Sequence, residues 1–335
     1  MNIVYASNDN YARHLAVSMT SVFAQNQNLP QITAYVLSIG LSKESRKRLQ
    51  VIAGRYGRVL HFLDLDNIKS RFDYDIDTRG FDISAMGRLF VGQLLPPDIE
   101  RILYLDCDTV TAQPLDELWN LDLNGYLLGA VMEPTIYETV KKDIGLGESE
   151  PYFNSGVLLI DLVRWRDSQA EKRILDFYKE KNGRLFACDQ DAINGALKGE
   201  ILPIPPMYNF FPNYRYFSYE NLVLHSPAYA SVTKDMFIGA KKRPAIIHYV
   251  GDERPWIAGN LNHYHKAYDK YLAMTPWTGT PKEKGKELYM ILYHLMDYAT
   301  VLWPELRWLI SKWFGMKVID RRKREKIKPD RRQVL

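Results

Sequence analysis

The first 250 residues alternate between short apolar runs and longer segments whose apolar positions recur every three or four residues. Asn2–Ala6 is an apolar run of strand length. Asn10–Gln25 follows with a helical pattern, Leu15, Met19, Val22 and Phe23 falling on one side. Ile32–Ser38 predicts a second strand and Lys43–Tyr56 a charged surface helix. Further strands are predicted over Val59–Leu63, Arg101–Leu105, Leu127–Val131, Gly156–Ile160 and Ala245–Val250. Such alternation predicts an α/β fold with a largely parallel, doubly wound sheet. Ligands of such sheets bind outside the carboxyl ends of the strands, where the strand order reverses. No internal repeat and no long low-complexity segment interrupts the pattern.

The pattern changes near residue 275. Thr275-Pro276-Trp277-Thr278-Gly279-Thr280-Pro281 reads as a linker. It divides a body, residues 1–275, from a helical, Trp-rich and basic C-terminal region, residues 276–335. Glu283–Trp303 is helical, with Leu288, Ile291, Leu292, Leu295 and Met296 on one broad face. Pro304 suits the first turn of another helix, expected to end near Gly315. Trp303, Trp308 and Trp313 fall within eleven residues, directly before the tail.

Charge sharpens that division. Residues 317–335 carry nine basic and three acidic residues, a net +6, which leaves the other 316 residues at −2 against the whole chain's +4. The body is near neutral, so no nucleic-acid partner is expected. Tryptophans beside a basic stretch suit an interfacial anchor on an anionic membrane. The alternative is a helical hairpin packed on the body with a solvated basic end. Composition changes little else: 46% hydrophobic and 25% charged residues in 335 exclude a disordered or fibrous chain. Two cysteines, Cys107 and Cys188, cannot staple a fold of this size and suggest a reducing compartment. No uncharged apolar run reaches the ~18–20 residues that span a bilayer. The N-terminus has no basic region and no long apolar core, so no signal peptide is expected. The expected location is cytoplasmic and peripheral, on the inner face of the cell membrane.

Three segments carry candidate chemistry. In Arg101-Ile102-Leu103-Tyr104-Leu105-Asp106-Cys107-Asp108-Thr109-Val110 an apolar strand ends in two carboxylates at i and i+2. If the extended chain continued, both would point to one side and reach one cation. Hard oxygen ligands favour Mg²⁺ or Mn²⁺, ions that also bind phosphate oxygens. The plain alternative is a solvated turn. In Ala245-Ile246-Ile247-His248-Tyr249-Val250-Gly251-Asp252-Glu253-Arg254 a histidine ends an apolar strand and could be a third ligand. Gly251 permits close approach to a phosphate, and Arg254 can contact one in bidentate fashion. A packed core histidine followed by a loop is the alternative. His14, His61, His225, His263, His265 and His294 have no comparable context and read as structural. Cys188-Asp189-Gln190-Asp191 opens a helix; a cap explains one aspartate but not the group.

With the N-terminus, these segments resemble the retaining glycosyltransferases of family 8, which include bacterial lipooligosaccharide galactosyltransferases and glycogenin. The matching pieces are Ile3-Val4-Tyr5-Ala6-Ser7-Asn8-Asp9-Asn10-Tyr11, Arg88 in Ser84-Ala85-Met86-Gly87-Arg88-Leu89, and Tyr104-Leu105-Asp106-Cys107-Asp108. They continue with Phe153-Asn154-Ser155-Gly156-Val157-Leu158-Leu159-Ile160, Asp189-Gln190-Asp191, and His248-Tyr249-Val250-Gly251 with Pro255-Trp256. Six pieces in order span residues 1–275. The resemblance implies a single GT-A-type domain, Rossmann-like with a doubly wound mixed sheet, followed by the C-terminal appendage. It implies that Ala6, Asn8, Asn10 and Tyr11 hold uridine. Asp106, Asp108 and His248 would bind Mn²⁺, with Mg²⁺ the alternative, against the diphosphate, and Cys107, between the two carboxylates, would join them in binding the UDP-sugar. Gly251 and Arg254 would contact phosphate. Arg88, Asn154, Asp189 and Gln190 would surround the donor sugar, Asp189 and Gln190 as the catalytic pair. Glu133 falls on the acceptor side. Two positions depart from the family: Asn8 replaces the usual Asp and Arg254 the usual Lys.

The implied activity is a Mn²⁺-dependent, retaining transfer of a hexose from a UDP-sugar, galactose favoured over glucose, to a glycan acceptor. A surface polysaccharide, a lipid-linked oligosaccharide and a glycoprotein all fit as acceptors. The leaving diphosphate develops charge that a cation and Arg254 would stabilise. The aromatic run Tyr208, Phe210, Phe211, Tyr214, Tyr216, Phe217 and Tyr219 is either an acceptor platform or a core loop. Two other functions compete. Asp106-Cys107-Asp108-Thr109-Val110 also resembles the nucleophile loop of haloacid-dehalogenase-type phosphatases, although that loop normally follows the first strand. A membrane-associated sugar-nucleotide binder without turnover is the other.

Overall fold

The computed structural model describes residues 1–78 and 80–325, with side chains described through Gly315 and at Lys317. Of the basic tail, only Lys317 therefore has a described side chain, and residues 326–335 lie outside the described residues.

Seven strands form the main sheet: β1 (Asn2–Ser7), β2 (Thr33–Ser38), β3 (Val59–Asp64), β4 (Arg101–Leu105), β6 (Leu128–Met132), β7 (Phe153–Asp161) and β8 (Ile201–Pro203). Their order is β3-β2-β1-β4-β7-β6-β8. β5 (Thr109–Thr111) and β9 (Ile246–His248) pair antiparallel as a separate ribbon. β1, β2, β3 and β4 run parallel, as do β6 and β8; β7 alone is reversed, antiparallel to both β4 and β6. The expected α/β, doubly wound sheet is thus present, and it is mixed.

The strands are apolar without interruption because both faces are covered. Val4, Tyr35, Leu37, Ile102, Tyr104 and Leu158 point into one core; Ile3, Tyr5, Val36, Leu103, Leu105 and Leu159 point into the other. Edge strand β3 alternates exposed with half-buried positions instead. Helix α1 (Ala12–Gln25) buries Leu15, Met19, Val22 and Phe23, and α2 (Lys43–Arg55) buries only Ser45, Leu49, Ile52 and Ala53. The helical pattern from Asn10 begins as a single 3-10 turn, Asp9–Tyr11, because Asn8 accepts a hydrogen bond from the Tyr11 amide and caps it.

The C-terminal region is a helical pair, Glu287–Thr300 and Pro304–Glu325. The second helix runs past Gly315, where the sequence suggested a stop; glycine stands there because Tyr137 of the body lies against it, and an added Cβ would fall 1.3 Å from the Tyr137 hydroxyl. The first helix is inverted in polarity. Met290, His294, Asp297 and Thr300 face inward, whereas Leu288, Leu292 and Leu295 are more than half exposed. The apolar face read from the sequence therefore points away from the body.

Candidate functional site

The strand order reverses between β1 and β4, and their carboxyl ends open a crevice there. Because β7 is reversed, it is the start of that strand, Asn154-Ser155-Gly156, that reaches the same edge. The end of β6 adds Glu133 from the other side. A cleft of about 310 Å³ results, lined among others by Ala6, Tyr11, Arg88, Asp106, Cys107, Asp108, Glu133, Asn154, Asp189, Gln190, His248, Gly251 and Arg254.

The two aspartates converge by a route different from the expected one. The chain does not stay extended after β4; it turns at once, the Thr109 amide bonding the Asp106 carbonyl at 3.2 Å. The β5–β9 ribbon then sets Thr109 opposite His248. His248 Nε2 lies 3.1 Å from Asp108 Oδ1 and 3.7 Å from Asp106 Oδ2. Its other nitrogen, Nδ1, lies 2.8 Å from the amide oxygen of Asn209. An amide oxygen only accepts, so Nδ1 carries a proton and Nε2 is the nitrogen turned to the two carboxylates, the one that would give its lone pair to a cation. Gly156 is the wall behind them: an added Cβ would sit 2.2 Å from His248 Cε1 and 2.8 Å from Asp106 Oδ2. One imidazole lone pair and two carboxylates, with the imidazole oriented from outside, fit a divalent cation.

The charges respond to this crowding. Burial is the largest influence on Asp108 and would raise its carboxyl, but His248 and Arg254 together hold it below the usual range. For His248, burial disfavours the imidazolium, yet Asp108 and Asp106 outweigh it and raise the pKa.

The opposite wall is organised by Arg88, from the 3-10 segment Ile83–Phe90. Its buried guanidinium reaches Asp106 at 2.8 Å and Asp189 at 3.0 Å, and lies over the Tyr104 ring. Burial pushes the Asp189 carboxyl up, Arg88 opposes that, and Asp106 adds to it. Asp189 is the first residue of the helix Asp189–Ala196, entered through Cys188 in the left-handed region at φ 49°. That strained entry turns Asp189 toward Arg88 instead of back to cap the helix. Gln190 follows. Its Oε1 accepts from the Asn154 side chain at 2.8 Å and from the Ser155 amide at 3.1 Å. Its Nε2 donates to Glu133 at 3.1 Å and to the Tyr152 hydroxyl at 3.0 Å. Glu133 also accepts from Asn154 at 2.9 Å, and burial pushes its carboxyl up.

Of the fifteen residues singled out from the sequence, Asn8 and Asn10 alone do not line the cleft. Asn8 caps the turn that carries Tyr11 and donates to Asp82 at 2.6 Å; Asn10 is exposed. The Cys107 thiol donates to the Ala6 carbonyl at 3.3 Å, tying the ends of β1 and β4 together, and burial raises its pKa. Gly251 adopts φ +59°, with open space where a Cβ would stand, so its turn requires glycine for backbone reasons. Sequence reasoning missed Asn209, Ser155, Tyr104 and Asp82. Asn209 is a buried asparagine within the aromatic run, and that contrast is the signal that marks it. The run itself is core: Tyr208, Phe210, Tyr214, Tyr216 and Phe217 are buried, and Phe211 reaches the cleft with its edge toward His248.

A crevice with a trio that could hold a cation on one wall and an amide–carboxylate network on the other thus opens at the switch point of the α/β sheet. The sequence pattern of glycosyl transferase family 8 matches residues 2–259, and the chain belongs to that family. The phosphatase alternative is thereby replaced. General stress protein A of Bacillus subtilis (strain 168) is 27% identical over 280 residues, covering 83% of this chain and 94% of that protein. Lipopolysaccharide 1,2-glucosyltransferase of Escherichia coli (strain K12) is 27% identical over 296 residues, covering 86% and 82%. Among solved structures, the galactosyltransferase LgtC in complex with donor and acceptor sugar analogues superposes with a TM-score of 0.68 at 28% identity, covering 84% of this chain and 98% of that one. The chain is a family 8 glycosyltransferase with a GT-A-like fold.

Proposed function

We propose that this glycosyltransferase moves a hexose from a UDP-hexose to a glycan acceptor, with retention of configuration and with Mn²⁺ at Asp106, Asp108 and His248. The observation that carries the reading is the convergence of those three side chains, with the imidazole Nε2 turned to the carboxylates and Nδ1 held by Asn209. A divalent ion held there would neutralise the charge that develops on a departing diphosphate. Arg254 adds positive charge from the loop beyond His248, and the bare backbone at Gly251 leaves room for phosphate oxygens. Ala6, near the end of β1, and Tyr11, in the turn that follows, would hold the base.

The sugar would lie between the cation trio and the Asn154–Gln190–Glu133 network. The polar side chains on that side are tied into ion pairs and hydrogen bonds. Asp189 is paired with Arg88, Gln190 is an amide with both ends engaged, and Glu133 accepts two hydrogen bonds through one oxygen. Front-face substitution accords with these pairings, while retention itself rests on the resemblance to the family. The acceptor oxygen bonds to the anomeric carbon as the bond to the phosphate oxygen breaks, and the acceptor proton passes to that oxygen. Asp189 and Gln190 hold the sugar and stabilise positive charge at the anomeric centre. A covalent glycosyl–Asp189 adduct found by mass spectrometry would overturn this step.

The donor test is hydrolysis and transfer with UDP-galactose, UDP-glucose and their N-acetyl forms, with Mn²⁺ and with chelator, for the natural protein and Asp108→Ala. UDP released from one hexose donor, and lost with chelator and with the variant, supports the proposal. Binding without turnover, with acceptors supplied, would leave a sugar-nucleotide binder. Galactose is the favoured donor because LgtC is a galactosyltransferase; the similar Escherichia coli protein is named for glucose. A lipid-linked or surface glycan acceptor accords with the outward apolar face of the C-terminal helices, which we place on the inner face of the cell membrane. No described helix is long and apolar enough to cross a membrane.

A further inference from the structure

A second set of metal-ligating side chains lies outside the cleft, where the Glu287–Thr300 helix meets the loop after β9. Glu253, His294 and Asp297 are all buried, and one ligand atom from each lies within 4.8 Å of the others. His294 is fully buried, yet neither ring nitrogen has a hydrogen-bond partner. Asp297 Oδ2 likewise has none and lies 3.5 Å from His294 Nδ1. The remaining carboxylate positions are held from outside. Arg307 donates to Asp297 Oδ1 at 2.7 Å, and Asn262 donates to Glu253 Oε2 at 2.6 Å. The Tyr293 hydroxyl donates to Glu253 Oε1 at 3.2 Å.

Such an arrangement is expensive unless something fills it. A buried polar atom left without a partner destabilises the fold, and three are left here. Ordinary packing would put leucine on this inward face. The helix instead turns its leucines outward and its histidine and aspartate inward. An imidazole and two carboxylates, each carboxylate pinned by an outer hydrogen bond, are the donor set of a first-row divalent ion.

We propose that Glu253, His294 and Asp297 form a second cation site, taking Zn²⁺ or a similar transition ion, separate from Asp106, Asp108 and His248. An ion here ties the helical pair to the loop that carries Gly251 and Arg254. Its role is structural: it fixes that loop from behind, and the chemistry of the cleft stays with the first trio.

The test uses the full chain, stripped with chelator and reloaded with Zn²⁺ alone, in an Asp106→Ala/Asp108→Ala background that removes the first site. Metal content is read by mass spectrometry, stability by thermal unfolding, and fold by circular dichroism. One Zn²⁺ per chain with a raised Tm is expected. Adding Asp297→Asn or His294→Gln should abolish binding, a greater loss than the about 10–100-fold that follows loss of an outer partner. If those variants fail to fold, X-ray absorption of the loaded background protein decides: one imidazole nitrogen with carboxylate oxygens supports the site. Absence of Zn²⁺ from the folded background protein, or its retention after Asp297→Asn, overturns it.

Discussion

Asn209 and His248 face each other across 2.8 Å, amide oxygen to Nδ1, and this pair decides which imidazole nitrogen is offered to the aspartates. Asn209 also donates to Asn154 at 2.8 Å, so one asparagine links the cation trio to the sugar-side network. Asn209→Leu removes the acceptor and lets the imidazole rotate or change tautomer. Metal affinity, read from Mn²⁺ titration of UDP-sugar hydrolysis, should fall about 10–100-fold. Asn209→Asp keeps an acceptor toward Nδ1 and should retain more affinity than the leucine variant. Equal losses in both would show that the Nδ1 contact does not orient the ring.

Gly156 offers a test of the trio by shape alone. A methyl group there would meet His248 Cε1 at 2.2 Å and Asp106 Oδ2 at 2.8 Å, distances no packing accepts. Gly156→Ala should displace the imidazole, abolish Mn²⁺-dependent turnover and leave the circular dichroism spectrum unchanged. Normal turnover in this variant would mean that the imidazole position is not needed.

Arg88 is the only basic side chain given an ion pair to both Asp106 and Asp189 among the described residues. Removing one partner of a buried pair strands the other charge, at about 3–5 kcal/mol. Arg88→Ala should therefore lower stability by that order in urea unfolding and abolish transfer. Arg88→Lys keeps the charge but cannot span two carboxylates in a fork, so it should recover stability in part and activity hardly at all. A fully active lysine variant would show that charge alone suffices.

The legibility of the molecule varies with the physical signal. β4 was readable to the residue, Arg101–Leu105, because a strand buried on both faces is an unbroken apolar run bounded by charge. β5 and β8, of three residues each, carry no periodicity to read. The reversal of β7 was invisible as well, since a continuously buried run reads the same in either direction. Asp106, Asp108 and His248 were legible as residue types at strand ends, but the turn at Asp106 that joins them was not. Asn209 was missed because its role is long-range: its partners His248 and Asn154 lie 39 and 55 residues away. His294 looked ordinary for the same reason, with Glu253 brought to it from another segment.

Stability should also depend on pH through Glu171, far from either cluster. Burial pushes its carboxyl up to about 7, and Oε1 has no partner. The folded chain then binds a proton that the unfolded chain has released, so stability falls as pH rises from the unfolded value near 4.5 to about 7. Above that range the penalty is complete. Glu171→Gln should be more stable than the natural chain by about 1–3 kcal/mol at pH 8, with the difference vanishing near pH 4. Urea unfolding at a series of pH values checks this, and a difference that does not change with pH would refute the assignment.

The C-terminal helices carry the last prediction. Leu302 is 77% exposed and Trp303 61%, with Leu309, Trp313 and Phe314 each above half. Trp308 alone of the three tryptophans turns inward, its ring 4.2 Å from that of His225. A helical pair that shows leucine and tryptophan to solvent while it buries His294 and Asp297 is inverted for a water-facing element and suited to a lipid interface. Each such side chain, on leaving water, contributes about 1.5–3 kcal/mol. Leu302→Glu with Trp303→Glu should then lower the partition constant on vesicles of phosphatidylcholine with phosphatidylglycerol by at least about 100-fold. Neither side chain touches the cleft, so turnover of a soluble acceptor should persist in the variant. Raising the salt concentration should weaken binding of both proteins through the basic residues, leaving the apolar difference between them. If the double variant binds as tightly as the natural chain, the exposed face is not what meets the membrane.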